Sequence, residues 1–272
     1  MNNVVRYINH SSPAQREARY IIGRFAELVQ WKNNCRALDV GCGPGNVTHD
    51  VLLPILPKSA ELVVGIDKLQ SAIEHANKTY GGIPKLIFRQ VNMVSDTNFT
   101  ETHEGYFDHA FSFSCLHFIK EQEVALGKVW KMLKPGGDFS FTSVVRNRLF
   151  VIISRLAEKE KWRPYIGDYD KYMSPYQYVT DPEEVLREIL QKVGFEVSYL
   201  KMEAREMRFP LAYFAGHIIS HVQTSIPSDL QEEFGRSALD VIREINLSYL
   251  DDNGEEMCNY DFYNIFGHVK RL

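Results

Sequence analysis

Apolar positions in SPAQREARYIIGRFAELVQW recur at helical spacing behind a Ser-Pro start, which predicts a helix over about 13–30. Next comes CRALDVGCGPGNVTHDVLLPIL, a short apolar run, a glycine-rich turn and a return to helical spacing. AELVVGIDKLQSAIEHANKTYGG repeats that order, with a strand at 62–66, a polar turn, a helix and a Gly-Gly stop. KLIFRQVNM supplies a third strand and FDHAFSFSCL a fourth, while QEVALGKVWKMLKPGGDFSFTSVV reads as a helix, a Pro-Gly-Gly turn and a fifth strand. Strand and helix alternating at this spacing demand right-handed crossovers, hence an α/β fold whose parallel sheet carries helices on both faces.

After Val145 the rhythm changes. Residues 147–190 read as broken helix around RPYIGDYDKYMSPY, FEVSYLKMEAREMRF as a long strand, 211–250 as mostly helix, and YDFYNIFGHVKRL as a last strand. The sequence therefore predicts one domain over 1–272, with a core at about 35–145 and late strands near 195–209 and 260–271. A helical cap drawn from about 1–30, 147–190 and 211–250 covers the C-terminal ends of the strands. No internal repeat or low-complexity segment interrupts this plan.

Composition narrows the function. With 44% apolar and 12% aromatic residues in 272, the chain has the material for a sizeable core. The net charge of −4 is mild and dispersed, and no basic stripe marks a nucleic-acid partner. Cys35, Cys42, Cys115 and Cys258 lie far apart and form no C-x-x-C pair, a pattern of reduced thiols. The polar start MNNVVRYINHSSP has no apolar signal core, and no apolar run is long enough for a bilayer. The expectation is a soluble, cytoplasmic protein without stable membrane insertion. A homodimer is compatible with the sequence, which shows no seam for one.

Gly41, Gly43 and Gly45 sit between strand and helix, where glycine lets the backbone approach a ligand. The dinucleotide fingerprint G-x-G-x-x-G is not matched, because the third glycine comes one residue early. Asp67 ends the second strand, where a carboxylate can take both ribose hydroxyls of an adenosine. Asp39 precedes the turn and can meet a cationic ligand group, and KMLKPGG sits just before the fifth strand. Together these features resemble the class I S-adenosylmethionine-dependent methyltransferases over roughly residues 35–145.

That resemblance implies a Rossmann-like fold with a mostly parallel seven-stranded sheet and a helical cap. It implies S-adenosylmethionine as cofactor, held by Asp39, Gly41, Cys42, Gly43, Gly45, Asp67, Lys68, Met93 and Ser112, with Asn92 at the adenine. The family usually offers Asp where this chain has Asn92; the expectation is that the amide oxygen accepts from the adenine amino group, with weakened binding. The chemistry implied is in-line displacement at a sulfonium carbon, in which holding the nucleophile in line is the enzyme's main task.

For the acceptor, SFSC stands where base N-methyltransferases carry Asn/Asp-Pro-Pro-Tyr/Phe, which disfavours that class. FDHAFSFSCLHF instead resembles the corresponding loop of the insect juvenile hormone acid O-methyltransferases, as do VRYINH, ELVQWK, KWRPYIGDYDKYMSPYQ and VGFEV. The similarity is nearly whole-chain and implies a lipophilic sesquiterpenoid acid as substrate, juvenile hormone acid or farnesoic acid. In that family a Gln near the N-terminal helix and a Trp after Leu-His hold the substrate carboxylate. Here the Trp position is Phe118, without an N–H, and the Gln position falls on Ala14 with Gln15 one residue late.

His117, at the C-terminal end of the fourth strand, is the candidate catalytic residue, in a substrate-positioning role, and Tyr172 is a candidate pocket residue. Two other readings stay open. One is a methyltransferase of this fold with another small acceptor, such as a fatty acid, a phenol or an amine; the other is a cofactor- or terpenoid-binding protein with little turnover. His217 and His221 stand at i and i+4 without a third ligand, so no metal is assigned and a plain helix face is expected.

Overall fold

The first five strands form a parallel sheet whose order reverses at its centre. The structure, a computed structural model, describes residues 12–25, 27–222 and 225–272, with side chains of the first helix from residue 15 onward. Helix α1 spans Ser12–Phe25 and is followed by β1 (Arg36–Val40), a tight helical segment over Thr48–Ile55, β2 (Leu62–Asp67), α2 (Gln70–Tyr80) and β3 (Leu86–Gln90). Then come α3 (Asn98–Thr102), β4 (Phe107–Phe113), a 3₁₀ turn at Leu116–Phe118, α4 (Gln122–Met132) and β5 (Leu133–Asn147). The later part holds α5 (Arg148–Glu158), α6 (Arg163–Ile166), a 3₁₀ turn at Tyr169–Tyr172, α7 (Pro182–Val193) and β6 (Phe195–Pro210). It closes with α8 (Leu211–Val222), α9 (Gln231–Glu244), β7 (Ser248–Leu250) and β8 (Glu256–Arg271).

The strand order is β3-β2-β1-β4-β5-β8-β6, with the short β7 paired to β8 off this path. Leu38 of β1 pairs in parallel with Val64 of β2 on one side and Ala110 of β4 on the other. Every residue of β4 is buried, as expected of a central strand covered on both faces. β8 runs antiparallel to both β5 and β6. The reversal between β1 and β4 opens a crevice at the C-terminal ends of these strands, where open α/β sheets bind ligands.

Among the described residues, three large apolar cores follow from this layout. Ala18, Ile21 and Phe25 of α1 pack with Val51, Leu52 and Phe88 on one face of the sheet. Leu126 and Val129 of α4 and Leu186 and Leu190 of α7 pack with Phe139 and Phe195 on the other. α7 is well punctuated: Asp181 accepts from the Glu184 N–H, Pro182 opens the helix and Gly194 closes it at φ +110°. Thus α1 and α7, which the sequence pattern grouped with the cap, belong to the layers flanking the sheet. The described α1 covers Ser12–Phe25, a shorter span than the 13–30 its apolar spacing predicts.

The third core is the cap. Trp162, just before α6, packs with Ile152 and Leu156 of α5, Phe214 of α8 and Phe234 and Ile242 of α9, and lies edge-on to Phe234 at 5.1 Å. β6 and β8, each of 16 residues and about 50 Å long, extend beyond the sheet as a twisted ribbon that carries this cap. No helix among the described residues is long and apolar enough to cross a membrane.

Gly267 shows how tightly the β5–β8 pairing is packed. It lies opposite Phe141, and a Cβ added there would stand 2.2 Å from the Phe141 ring. Gly267→Ala is therefore expected to cost about 1–3 kcal/mol by overpacking, read as a lowered urea midpoint with an unchanged slope. An unchanged midpoint would mean that this face is loosely packed.

Candidate active site

The chain leaves β1 through three glycines in the left-handed region, each for its own reason. Gly41 (φ +79°) donates its N–H to the Ile66 carbonyl at 2.7 Å, and a Cβ on it would stand 2.0 Å from the Cys115 sulfur. Gly43 (φ +54°) has open space where a Cβ would be, and its N–H donates to the Asp67 carboxylate at 3.0 Å. Gly45 instead packs close against the Phe88 ring, away from the cavity. Asp67 also accepts from the Leu69 N–H at 2.8 Å. Burial raises its pKa, and these backbone bonds oppose the rise.

Beneath the turn, Asp39 is buried. One of its carboxylate oxygens accepts from the Thr48 hydroxyl at 2.6 Å, while the other, Oδ1, has no partner among the described residues. Burial pushes Asp39 up to about 7, with the Thr48 bond opposing and the negative charge of Asp67 adding. Cys42 and Ser112 lie behind the turn and do not line the cavity. Ser112 donates to the Val40 carbonyl at 2.9 Å, and the Cys42 thiol points at the Gly43 carbonyl at 3.6 Å. Lys68, Asn92 and Met93 do line it.

Asn92 is turned differently from the sequence expectation. Its amide oxygen accepts from the Val94 N–H at 2.9 Å and the Ser95 N–H at 3.4 Å, closing a local turn. Flipping the amide would set its NH2 against two donors, so the network fixes the NH2 toward the cavity. In this orientation Asn92 would offer an adenine a donor, which suits a ring nitrogen, and not the acceptor that the sequence reading expected for the amino group.

The glycine turn opens into a single cavity of about 900 Å³ that reaches the cap. Ser114 leaves β4 with φ +53°, a strained turn for a non-glycine residue, which presses Cys115 onto Gly41 and directs His117 inward. His117 Nδ1 accepts from the Val144 N–H at 3.4 Å, which leaves the proton on Nε2. Burial, with help from His221, lowers His117 to about 3, so the imidazole is neutral near pH 7. Phe118 lies 4.1 Å from the His117 ring and 6.2 Å from the His221 ring. Tyr172 lines the chamber and bonds through its hydroxyl to Ser225.

Of the α1 candidates, the Ala14 side chain lies outside the described residues and Gln15 does not line the cavity. Glu17 does, and it is nearly inaccessible to solvent, held by both nitrogen arms of Arg205 at 2.9–3.3 Å and by Asn264 at 3.1 Å. Glu17 carried no signal in the sequence because its partner is 188 residues away. His217 and His221 also line the cavity, so the plain helix face expected for them is corrected: their side of α8 is a wall of the chamber. Among the described residues no three or more His, Cys, Asp or Glu side chains cluster as a metal site.

These residues fit S-adenosylmethionine. Asp39 Oδ1 is an orphaned buried acceptor that lies behind the cavity wall and adds negative charge beneath the glycine turn, Gly43 leaves room for a ligand against its backbone, Asp67 lines the cavity at the end of β2, where a ribose would be held, and Met93 is an apolar wall. The cofactor supplies an electrophilic methyl on positively charged sulfur. Asn92→Asp, which offers the adenine amino group an acceptor, is expected to tighten S-adenosylmethionine binding about tenfold in a calorimetric titration; weaker binding would reverse the reading of Asn92. Asp39 binds a cationic group best when ionised, so affinity should fall up to about tenfold per pH unit below its pKa, close to 7. Asp39→Asn should flatten that profile, and an unflattened profile would assign the titration elsewhere.

Comparison with known proteins agrees with this geometry. Residues 38–139 match the methyltransferase domain family. Juvenile hormone acid O-methyltransferase of Bombyx mori is 30% identical over 251 residues, covering 91% of this chain and 88% of that protein. The Drosophila melanogaster enzyme of the same name is 30% identical over 268 residues, covering 94% and 88%. Among solved structures, a phosphoethanolamine N-methyltransferase 2 of Haemonchus contortus with bound S-adenosylhomocysteine superposes with a TM-score of 0.59 at 17% identity, over 100% of this chain and 59% of that one. The YcgJ protein of Bacillus subtilis gives 0.60 at 14%, over 93% and 98%. The glycine turn, the reversed sheet order and near full-length similarity lead to one conclusion: the chain belongs to the juvenile hormone acid O-methyltransferase family and is an S-adenosylmethionine-dependent methyltransferase.

Proposed function

We propose that the chain methylates the carboxylate of a lipophilic sesquiterpenoid acid, juvenile hormone acid or farnesoic acid. One observation carries this reading: the cavity joins the glycine turn to a chamber walled by Phe118, Phe150, Tyr172 and Phe262, with His117 lining it as well. Its volume of about 900 Å³ is near the top of the roughly 300–1,000 Å³ range of ligand sites, which suits a cofactor together with a terpenoid chain.

A carboxylic acid with a pKa of about 4–5 is already ionised near neutral pH, so the enzyme need not supply a base. What it must supply is orientation in a dry setting. His117, neutral and with its proton on Nε2, donates to one carboxylate oxygen and leaves the other free to attack in line. His117 is a positioning donor here, since a group with a pKa near 3 takes no proton at neutral pH. The aromatic walls exclude water from the carboxylate and hold the apolar chain. The homologous insect enzymes named above support this acceptor class.

A different acceptor of similar size is the second reading, favoured by Phe118, whose ring offers no N–H donor. Transfer of labelled methyl from S-adenosylmethionine into organic-extractable product decides between them. Farnesoic acid and juvenile hormone acid should be labelled, and Phe118→Trp should raise kcat/KM on them about tenfold to a hundredfold by restoring a donor worth about 1–3 kcal/mol. No label on either acid, in a sample that binds the cofactor, would pass the function to the second reading.

A further inference from the structure

We propose that His221, on cap helix α8, is the second group that holds the acceptor carboxylate, beside His117, and that it takes up a proton when the acid binds. The proposal rests on the carboxylate reading above and adds to it a residue and a proton.

His221 and His117 both line the cavity, with Phe118 in ring contact with each. Their hydrogen bonds set opposite tautomers. His221 Nδ1 lies 3.0 Å from the His217 carbonyl, which can only accept, so the proton is on Nδ1 and Nε2 carries a bare lone pair. His117 has the reverse arrangement, because its Nδ1 accepts from Val144. Among the described residues neither Nε2 has a hydrogen-bond partner in the protein. The cavity wall therefore carries one N–H and one lone pair, on two rings that each contact Phe118.

A carboxylate satisfies the His117 N–H and is repelled by the His221 lone pair. Repulsion becomes attraction when one proton from solvent binds His221 Nε2, giving an imidazolium–carboxylate hydrogen bond of the strong, charge-assisted kind. The proton does not go to His117, since protonating Nδ1 there would break the bond from Val144. This bond supplies the donor that Phe118 lacks.

The other titratable groups at His221 are His217 on its own helix, His117 on the turn after β4, Tyr260 on β8, and Lys171 and Tyr172 on the 3₁₀ turn after α6. Burial lowers the pKa of His221 and raises that of Tyr260, so His221 is neutral and Tyr260 keeps its proton before the acid arrives. Two further charged groups on the cavity wall are already paired: Lys120 with Asp170 at 3.0 Å, and Glu17 with Arg205. Lys171 is the competing cation, with its ammonium 5.0 Å from the Tyr172 ring centroid.

The test is a calorimetric titration of farnesoic acid into the full chain loaded with S-adenosylhomocysteine, near neutral pH, in phosphate and in Tris. The different ionisation heats of the two buffers give the number of protons exchanged. The wild type should take up about one proton per acid. His221→Gln should take up almost none and bind the acid about tenfold to a hundredfold more weakly, with unchanged S-adenosylhomocysteine affinity as proof of folding. Lys171→Gln should keep the uptake, and farnesol should bind with none. Acid binding without proton uptake, or full uptake by His221→Gln, overturns the role of His221 while leaving the carboxylate reading intact. Failure of the wild type to bind the acid removes both.

Discussion

The contact between Gly41 and Cys115 is the constraint on which the active site depends. The missing Cβ at Gly41 lets the exit from β4 lie directly against the exit from β1. One side of that contact carries the glycine turn and Asp67, and the other carries His117. The glycine turn and the loop that bears His117 are thereby set next to each other by backbone packing. Ser114 stores strain to hold the approach, with a left-handed backbone that few residues adopt. Cys115 acts here as a small apolar filler: burial and the nearby Asp67 and Asp39 push its thiol up to about 12, far from nucleophilic use.

Charge is handled sparingly around this contact. His117 and His221 have lowered pKa values, and the one fully desolvated acid of α1, Glu17, is matched by a bidentate arginine that also lies 4.0 Å over the Tyr20 ring. Removing Arg205 alone would leave a buried carboxylate uncompensated, which is far costlier than never having had the pair. The ion pair ties α1 to β6 and so fixes a wall of the cavity. Asp39 is the exception, an acceptor kept partly unsatisfied under the glycine turn, as expected where a cationic ligand completes the site.

How much of this the sequence disclosed depends on whether the contact was local. The glycine turn, Asp67 and the alternating elements were legible because turn chemistry and apolar period are properties of neighbouring residues. Asn92 was legible as a departure, but its orientation was not, since that depends on the Val94 and Ser95 N–H groups folding back. His217 and His221 were visible as an i, i+4 pair, and only the folding of α8 over β8 shows which way they face. Glu17 was hidden because nothing near it in the chain announces Arg205. The grouping of α7 failed for a related reason: its amphipathic pattern specifies a covered face without specifying which surface covers it.

The position of β8 has a bearing on how the protein comes into being. This strand is synthesised after every other strand of the sheet, yet it sits between β5 and β6 and is hydrogen-bonded to both. Until it emerges from the ribosome, β5 and β6 each present a long unpaired edge, and the ribbon that bears the cap does not exist. The β1–β4 portion can assemble early from its sequential units, while the chamber waits for β8. Nascent chains of this protein are thus exposed to edge-to-edge association from the emergence of β5 until β8 follows it, and a chaperone that shields those edges would act on the chamber-forming half of the molecule, not on the glycine-turn half.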